Sequence, residues 1–343
     1  MAPAAAFVLA VLLALALTPL AIRVAWAVGY LDHPEARKLH SAATALLGGV
    51  AVFAATVIAF GISHPLRHAP RAGEGAYLLA GAVIAMTLGL WDDRFGMRPS
   101  IKLLGQAAAG GALLASGAIP ELGLGAVGNV AMTLLALIAL MNAVNFLDNM
   151  NGMVAGLAAV TLAAFAWTSL ERGAVGLACA QLATAGACVG FLPFNFPRAR
   201  VFLGDAGSLF LGYSLGASAV VAFAGAPRGW GRLGPVLMLA YPAFDMIFVV
   251  VNRVREGRKV YEGGRDHSNH RLASVIRCPK RTVLLLWASG AALCASGLVV
   301  LRLNQPAPTL LLSGLWTILM LWAGRQLSSV PVSPPSPAQA VRP

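Results

Sequence analysis

Four clusters of acidic, amide, imidazole and glycine residues stand at the ends of apolar segments, where a carboxylate costs free energy unless it is paired, hydrated or bound to a cation. Asp92 and Asp93 are adjacent carboxylates just before Arg94, Gly96 and Pro99. Such a pair can bind a divalent cation, or one acid can act as a base while the other orients it. Lys102 follows at the start of the next apolar stretch, where an ammonium can hold a phosphate as a point charge. Asn142, Asn145 and Asp148 recur at intervals of three, so they share one helical face up to Gly152. Carboxamide and carboxylate oxygens are hard ligands suited to Mg²⁺, which keeps waters and shares phosphate oxygens with a substrate. Asp205 lies between Gly204 and Gly207 with Ser208 beyond, leaving room for a ligand beside the acid and a hydroxyl for a phosphate oxygen. Asn195 and Phe202 flank this cluster with an amide and a ring that could contact a base. His267, His270 and Arg271 form the fourth cluster, better suited to an anionic ligand than to Zn²⁺, which wants more His or Cys nearby.

Each cluster also has a bland reading. Asp92 and Asp93 could simply answer Arg94 and Arg98 in a solvated turn, and Lys102 could snorkel to a membrane interface. Ser208 could cap a helix, and Asp205 could favour a helix dipole with no ligand. An interhelical hydrogen bond explains one Asn. It does not explain Asn142, Asn145, Asp148 and Asn151 crowded into ten residues.

The elements that must carry these clusters are membrane helices. Hydrophobic residues make up 58% of the chain and charged residues 11%, and the mean hydropathy is +0.76. A soluble domain carries about 25% charged residues. Apolar runs long enough for a ~30 Å hydrocarbon core predict an all-α polytopic membrane protein of eleven spans. These are 4–28, 45–62, 76–91, 101–118, 128–145, 153–170, 175–194, 209–226, 233–252, 283–302 and 308–324. Residues 1–326 read as a single integral membrane domain, and 327–343, rich in Pro, Ser and Ala, as a disordered tail. The first apolar stretch lacks a basic leader, its first Arg being Arg23, so it reads as a retained span.

Orientation follows from the basic residues. With the N-terminus outside, the outer segments hold Arg67, Arg71, Arg172, Arg228, Arg232 and Arg302, and the rest of the 25 Lys and Arg fall inside. That split obeys the positive-inside rule, gives an N-out, C-in topology and puts all four clusters at the cytoplasmic face. The net charge of +12 is then a topological and lipid-facing signal, and no nucleic-acid partner is expected. Cys179, Cys188 and Cys294 lie within spans and Cys278 in a loop, with no metal spacing and no disulfide pattern.

In this order and spacing, the motifs resemble those of the polyprenyl-phosphate N-acetylhexosamine-1-phosphate transferases. The resemblance runs from Asp32-His33-Pro34-Glu35-Ala36-Arg37-Lys38-Leu39-His40, through Gly48-Gly49, to Leu272. It implies ten or eleven membrane helices in the cell inner membrane, a cytoplasmic active site, and Mg²⁺ (with Mn²⁺ as an alternative). The reaction it implies moves a sugar 1-phosphate from a UDP-sugar to a polyprenyl phosphate, with release of UMP. A homodimer is compatible with it. Carried over by position, the resemblance makes Asp92 and Asp93 the reaction centre, with Asp148 lining the nucleotide-sugar pocket. Asn145 and Asp205 would hold the metal. Lys102 would meet the lipid phosphate, Asn151 and Phe202 the uracil with Asn195 nearby, and His267, His270 and Arg271 the sugar-phosphate end. Lys38 and His40 belong to the first cytoplasmic motif.

Two positions depart from the family pattern. Asn151 stands where an acid is usual, and Asn269 replaces the middle His of His-x-His-His-Arg. The first bears on base contacts and the second on sugar preference. The lack of a three-His run favours the GlcNAc branch over the MurNAc-pentapeptide one, with a deoxy- or diamino-HexNAc as the alternative sugar. A lipid or sugar transporter is the alternative of a different class. Transporters favour midplane sites and internal repeats, whereas these acids sit at one face and no repeat is evident.

Overall fold

The computed structural model describes residues 2–33, 43–63, 72–260 and 264–331. Helices fill nearly all of them, in the order α1 (Ala2–Ala27), α2 (Gly48–Ser63), α3 (Ala72–Phe95), α4 (Pro99–Ala115), α5 (Gly125–Leu147), α6 (Met153–Glu171), α7 (Val175–Asn195), α8 (Gly204–Gly225), α9 (Leu233–Met238), α10 (Ala240–Arg255), α11 (Ser268–Ile276), α12 (Pro279–Leu303) and α13 (Pro306–Ser328). A two-residue hairpin, β1 (Leu31–Asp32) with β2 (Thr44–Ala45), brackets the segment carrying Lys38 and His40, which lie outside the described residues.

Eight of these helices are long and apolar enough to cross a membrane, and nine if the bent pair around Leu239 forms one span. In lipid the helix satisfies every backbone polar group within the segment, which is why apolar runs of this length fold this way. Every expected span contains a helix. Two are shorter than a full crossing, however: α2 with 16 residues and α4 with 17. The run expected at 233–252 is two helices meeting at 67°. Pro242 accounts for the break, because it lacks an N–H and its ring clashes with the carbonyl four residues earlier, that of Met238. At the chain's end α13 runs through Ser328, past the expected boundary at 326, and 332–343 lie outside the described residues.

The core is organised around α8, which packs against α2, α3, α5, α6 and α9. Within its most apolar window 72% of α8 is buried, against 11% of α13, so α13 is a peripheral helix and α8 the axis. Small residues permit the close approaches that packing in lipid requires. A Cβ added to Gly49 would lie 2.2 Å from the Gly207 amide, and one added to Gly89 would lie 2.2 Å from the Asp205 carbonyl oxygen. Gly89 therefore lets α3 touch the first turn of α8, bringing two of the four clusters together.

Candidate active site

Lys102 is the centre of the first site. Its ammonium lies 2.8 Å from Asp92 Oδ2, 2.6 Å from Asp205 Oδ2 and 3.1 Å from Asn145 Oδ1. Three helices converge there: α3 ends with Asp92, α8 begins with Asp205, and α5 brings Asn145 on its last turn. Asn145 is fixed from its other side, since its amide donates to Asp205 Oδ1 and to Ser208 Oγ, both at 2.8 Å. The site is half-open. Side-chain exposure is 15% for Lys102, 13% for Asp92 and 33% for Asp205, so water and a small anion can reach it. In effect three hard oxygens already surround a cation.

Asp93 has a different job from its neighbour. Its two oxygens accept from the backbone amides of Asp205 and Ala206, at 2.8 and 3.0 Å. It caps α8 where the helix dipole favours a negative charge. Gly204, at φ +72°, lies so close to this carboxylate that a Cβ would sit 2.6 Å from Asp93 Oδ2. Arg94, offered by the sequence as a partner for these acids, instead donates to the Gly29 carbonyl and lies over the Tyr30 ring. The acids are thus left to Lys102 and to the α8 terminus.

The end of α5 supplies the rest of this face. Asn142 donates to Gln106 Oε1 at 2.8 Å, tying α5 to α4. Asp148, just past the helix, pairs with no described side chain. Burial first, then the charges of Asp205 and Asp93, push its carboxyl up to about 8. Beyond it, Asn151 donates to the Pro197 carbonyl at 3.1 Å from an exposed position. Asn195 accepts from the Gly152 amide at 2.6 Å and donates to the Val201 carbonyl at 2.8 Å.

A second region lies against α10. Asp245, fully buried, accepts from the His267 ring Nδ1 at 2.8 Å, the Ser268 amide at 2.8 Å and the Ser268 hydroxyl at 2.5 Å. Arg253 grips Asp266 through two hydrogen bonds of 2.7 and 2.8 Å and donates a third to the Val260 carbonyl. Burial alone would raise the Asp266 carboxyl, but the Arg253 guanidinium more than offsets it and holds the group at about 2. Burial and the neighbouring His267 push His270 down to about 4. This loop reaches the end of α5 twice. The His267 ring stands edge-on to Phe146 at 6.4 Å, and Asn269 donates to Asn149 at 2.7 Å.

The sequence pattern described as Glycosyl transferase family 4 matches residues 76–223, from α3 through α8. The chain is 32% identical over 320 residues to the decaprenyl-phosphate N-acetylglucosaminephosphotransferase of Mycobacterium tuberculosis (strain ATCC 25618 / H37Rv), covering 82% of this chain and 79% of that protein. The chain belongs to this family. It is 29% identical to the probable undecaprenyl-phosphate N-acetylglucosaminyl 1-phosphate transferase of Bacillus subtilis (strain 168), over 86% of this chain and 84% of that one. Against the undecaprenyl-phosphate alpha-N-acetylglucosaminyl 1-phosphate transferase of Escherichia coli (strain K12) the identity is 28%, over 81% and 78%.

Of the site residues expected from sequence, this member of glycosyl transferase family 4 brings Asp92, Lys102, Asn145, Asp205 and Ser208 into one hydrogen-bonded group, with Asp93 beside it. Within that group Ser208 is buried and accepts from Asn145, so it orients that amide. Others bond elsewhere. Asn195 is fully engaged by backbone, which makes it a brace for the turn after α7. Arg271 donates to the carbonyls of Leu327, Ser328 and Val330 and lies over Phe248, so it ties α11 to the end of α13. Phe202 is half-buried and its backbone bonds to Ala45 and Gly48, joining the α8 entry to β2 and α2. Among the described residues no three His, Cys, Asp or Glu are arranged to hold a metal. Asn145 falls outside that set of residue types, and Lys102 occupies the space between the oxygens. Asp245 and Arg253 escaped the sequence reading. A lone acid inside the apolar run 233–252 was the available signal, since intramembrane ionisable residues mark function or a buried partner.

Proposed function

We propose that this chain transfers GlcNAc-1-phosphate from UDP-GlcNAc to a polyprenyl phosphate, releasing UMP, at the cytoplasmic face of the inner membrane. The observation that carries the reading is the oxygen cage around Lys102, built by Asp92, Asp205 and Asn145 at the ends of three apolar helices. The printed names of the M. tuberculosis, B. subtilis and E. coli relatives, all GlcNAc-phosphate transferases on polyprenyl phosphates, support it over most of the chain. Eleven crossings with the N-terminus out and the C-terminus in would put the cage inside, in keeping with the bias of basic residues. A cysteine at position 228 should then label from outside, and one at position 255 should not.

The donor set fits Mg²⁺: two carboxylates and one amide carbonyl, all hard oxygens, already gathered around a positive charge. Asp205 and Asn145 would hold the ion, with Asp92 adjacent. When bound, it supplies Lewis-acid polarisation and charge neutralisation at the donor pyrophosphate. The chain's own residues do the positioning. Lys102, released from one carboxylate, holds the lipid phosphate by charge. Asp92 orients that phosphate or takes its proton. A lipid phosphate oxygen then attacks the phosphorus bearing the sugar, in line, and the bond from that phosphorus to the UMP oxygen breaks. Such transfer is mostly alignment and charge stabilisation.

The test is a membrane assay with a panel of UDP-sugars and short polyprenyl phosphates, reading the lipid product by mass. UMP release with a lipid-linked GlcNAc pyrophosphate supports the reading. Conversion of another UDP-HexNAc alone would correct the sugar, and conversion of none would sink the transferase assignment.

A further inference from the structure

We propose that Asp245 is the positioning residue for His267, fixing which ring nitrogen carries the proton and which one faces the donor. The proposal rests on the transferase reading, in which His267 meets the sugar-phosphate end. A carboxylate only accepts hydrogen bonds, so His267 Nδ1, 2.8 Å from Asp245 Oδ2, must be the protonated nitrogen. Nε2 is then the nitrogen presented away from α10, on the ring that meets Phe146 at the end of α5. The other Asp245 oxygen is held by the amide and hydroxyl of Ser268, and the Tyr241 hydroxyl lies 3.4 Å from that of Ser268. Both oxygens are therefore fixed. Asp245 and His267 are buried, which keeps water from competing for the pair. The neighbouring pair Asp266–Arg253 clamps the start of the loop to the same helix, so Asp245 is needed less to anchor the loop than to set the ring. A carboxylate behind a histidine does this work in other sites by holding the ring's tautomer and orientation.

Asp245→Asn separates the two roles. The substituted amide keeps an oxygen for Ser268 but turns an N–H donor toward Nδ1, so the ring proton must move to Nε2 while the shape is preserved. Expected is a fall in kcat/KM of roughly ten- to a hundredfold, with the thermal midpoint in detergent close to wild type. Combining it with His267→Ala should add little, since a positioning residue acts only through its partner. Nitrogen-15 NMR of histidine-labelled protein reads the proton directly and needs no activity. It should report Nδ1–H at His267 in the wild type and Nε2–H in Asp245→Asn. An unchanged tautomer, wild-type turnover in Asp245→Asn, or an equal loss with and without the His267 side chain would each overturn the proposal. A wild type that converts no UDP-sugar would sink the transferase reading instead and leave the NMR result standing on its own.

Discussion

The two polar regions of this protein use similar residues to opposite ends. Around Lys102 one ammonium serves two carboxylates and an amide, all partly exposed, and Asp148, which pairs with no described side chain, feels the charges of Asp205 and Asp93. Against α10, Arg253 and Asp266 face each other in a bidentate pair at 2% and 1% exposure, and every Asp245 oxygen is taken. The first region has more negative charge than its own cation balances, and it is open to solvent. The second is closed and balanced. A buried ion pair with complete hydrogen bonding gives registry between segments, because breaking it leaves an uncompensated charge. An open, under-compensated cluster has capacity left for a ligand. In the proposed reading, chemistry belongs to the first region and geometry to the second.

The comparison breaks first at Asp205. In Asp205→Asn the amide can still bond Asn145, but the charge that would hold a divalent cation on a pyrophosphate is gone. Transfer should fall by roughly a thousandfold, with folding retained by size exclusion and thermal melting. Near-normal turnover at unchanged expression would overturn the proposed metal site. Asp92→Asn should lower kcat by roughly a hundredfold with little change in UDP-sugar KM, as expected for a group that acts on the lipid phosphate. A rise in donor KM with kcat intact would make Asp92 a binding residue.

The closed region should answer in stability instead. Arg253→Ala leaves buried Asp266 with only the partly exposed Arg258 guanidinium, 3.1 Å away, and should cost up to about 3–5 kcal/mol, read as a loss of thermal midpoint in detergent. Acid gives the sign independently. Asp266 is held at about 2 in the fold, below the ordinary value of about 3.9. Its contribution is fully present above the unfolded value and is lost as pH falls from there through about 2. Asp266→Asn should therefore flatten the acid limb of stability between about pH 4 and 2. An acid limb that survives in Asp266→Asn would show that the pair does not carry it.

How far the sequence could go is visible in the same contrast. Apolar length and the absence of water fix helices, so each expected run contains a helix, and eight or nine of the described helices are long and apolar enough to cross a membrane. The residues of the Lys102 cage were legible because acids and amides at span ends are costly without a purpose. Partners were not legible. Nothing in Asp92-Asp93 says that the second acid caps α8 while the first meets Lys102, because that depends on Gly89 allowing α3 against α8. Arg271 reads as an anion ligand until the end of α13 is known to lie beside it. Pro242 announced a break in the ninth apolar run, and Asp245 three residues on was the only acid within it. Together they mark a bent helix built to hold the His267 loop.

The smallest expected effect falls between the two regions, at Asn151. Its amide donates to the Pro197 carbonyl from an exposed position, bracing the turn after α7 against the start of α6. If uracil is also read there, the amide's ability both to donate and to accept matters, and a carboxylate only accepts. Asn151→Asp loses the bond to Pro197 and sets a charge against a carbonyl. It should raise UDP-sugar KM by roughly three- to tenfold with kcat within about twofold, because a contact distant from the reacting phosphorus serves ground and transition states alike. Asn151→Ser, which keeps a shorter donor, should fall between wild type and Asn151→Asp. If Asn151→Asp cuts kcat as deeply as Asp92→Asn with KM unmoved, this position belongs to the open region and its chemistry. If neither parameter moves, Asn151 serves only the turn, and the boundary between chemistry and geometry runs through Asp148 instead.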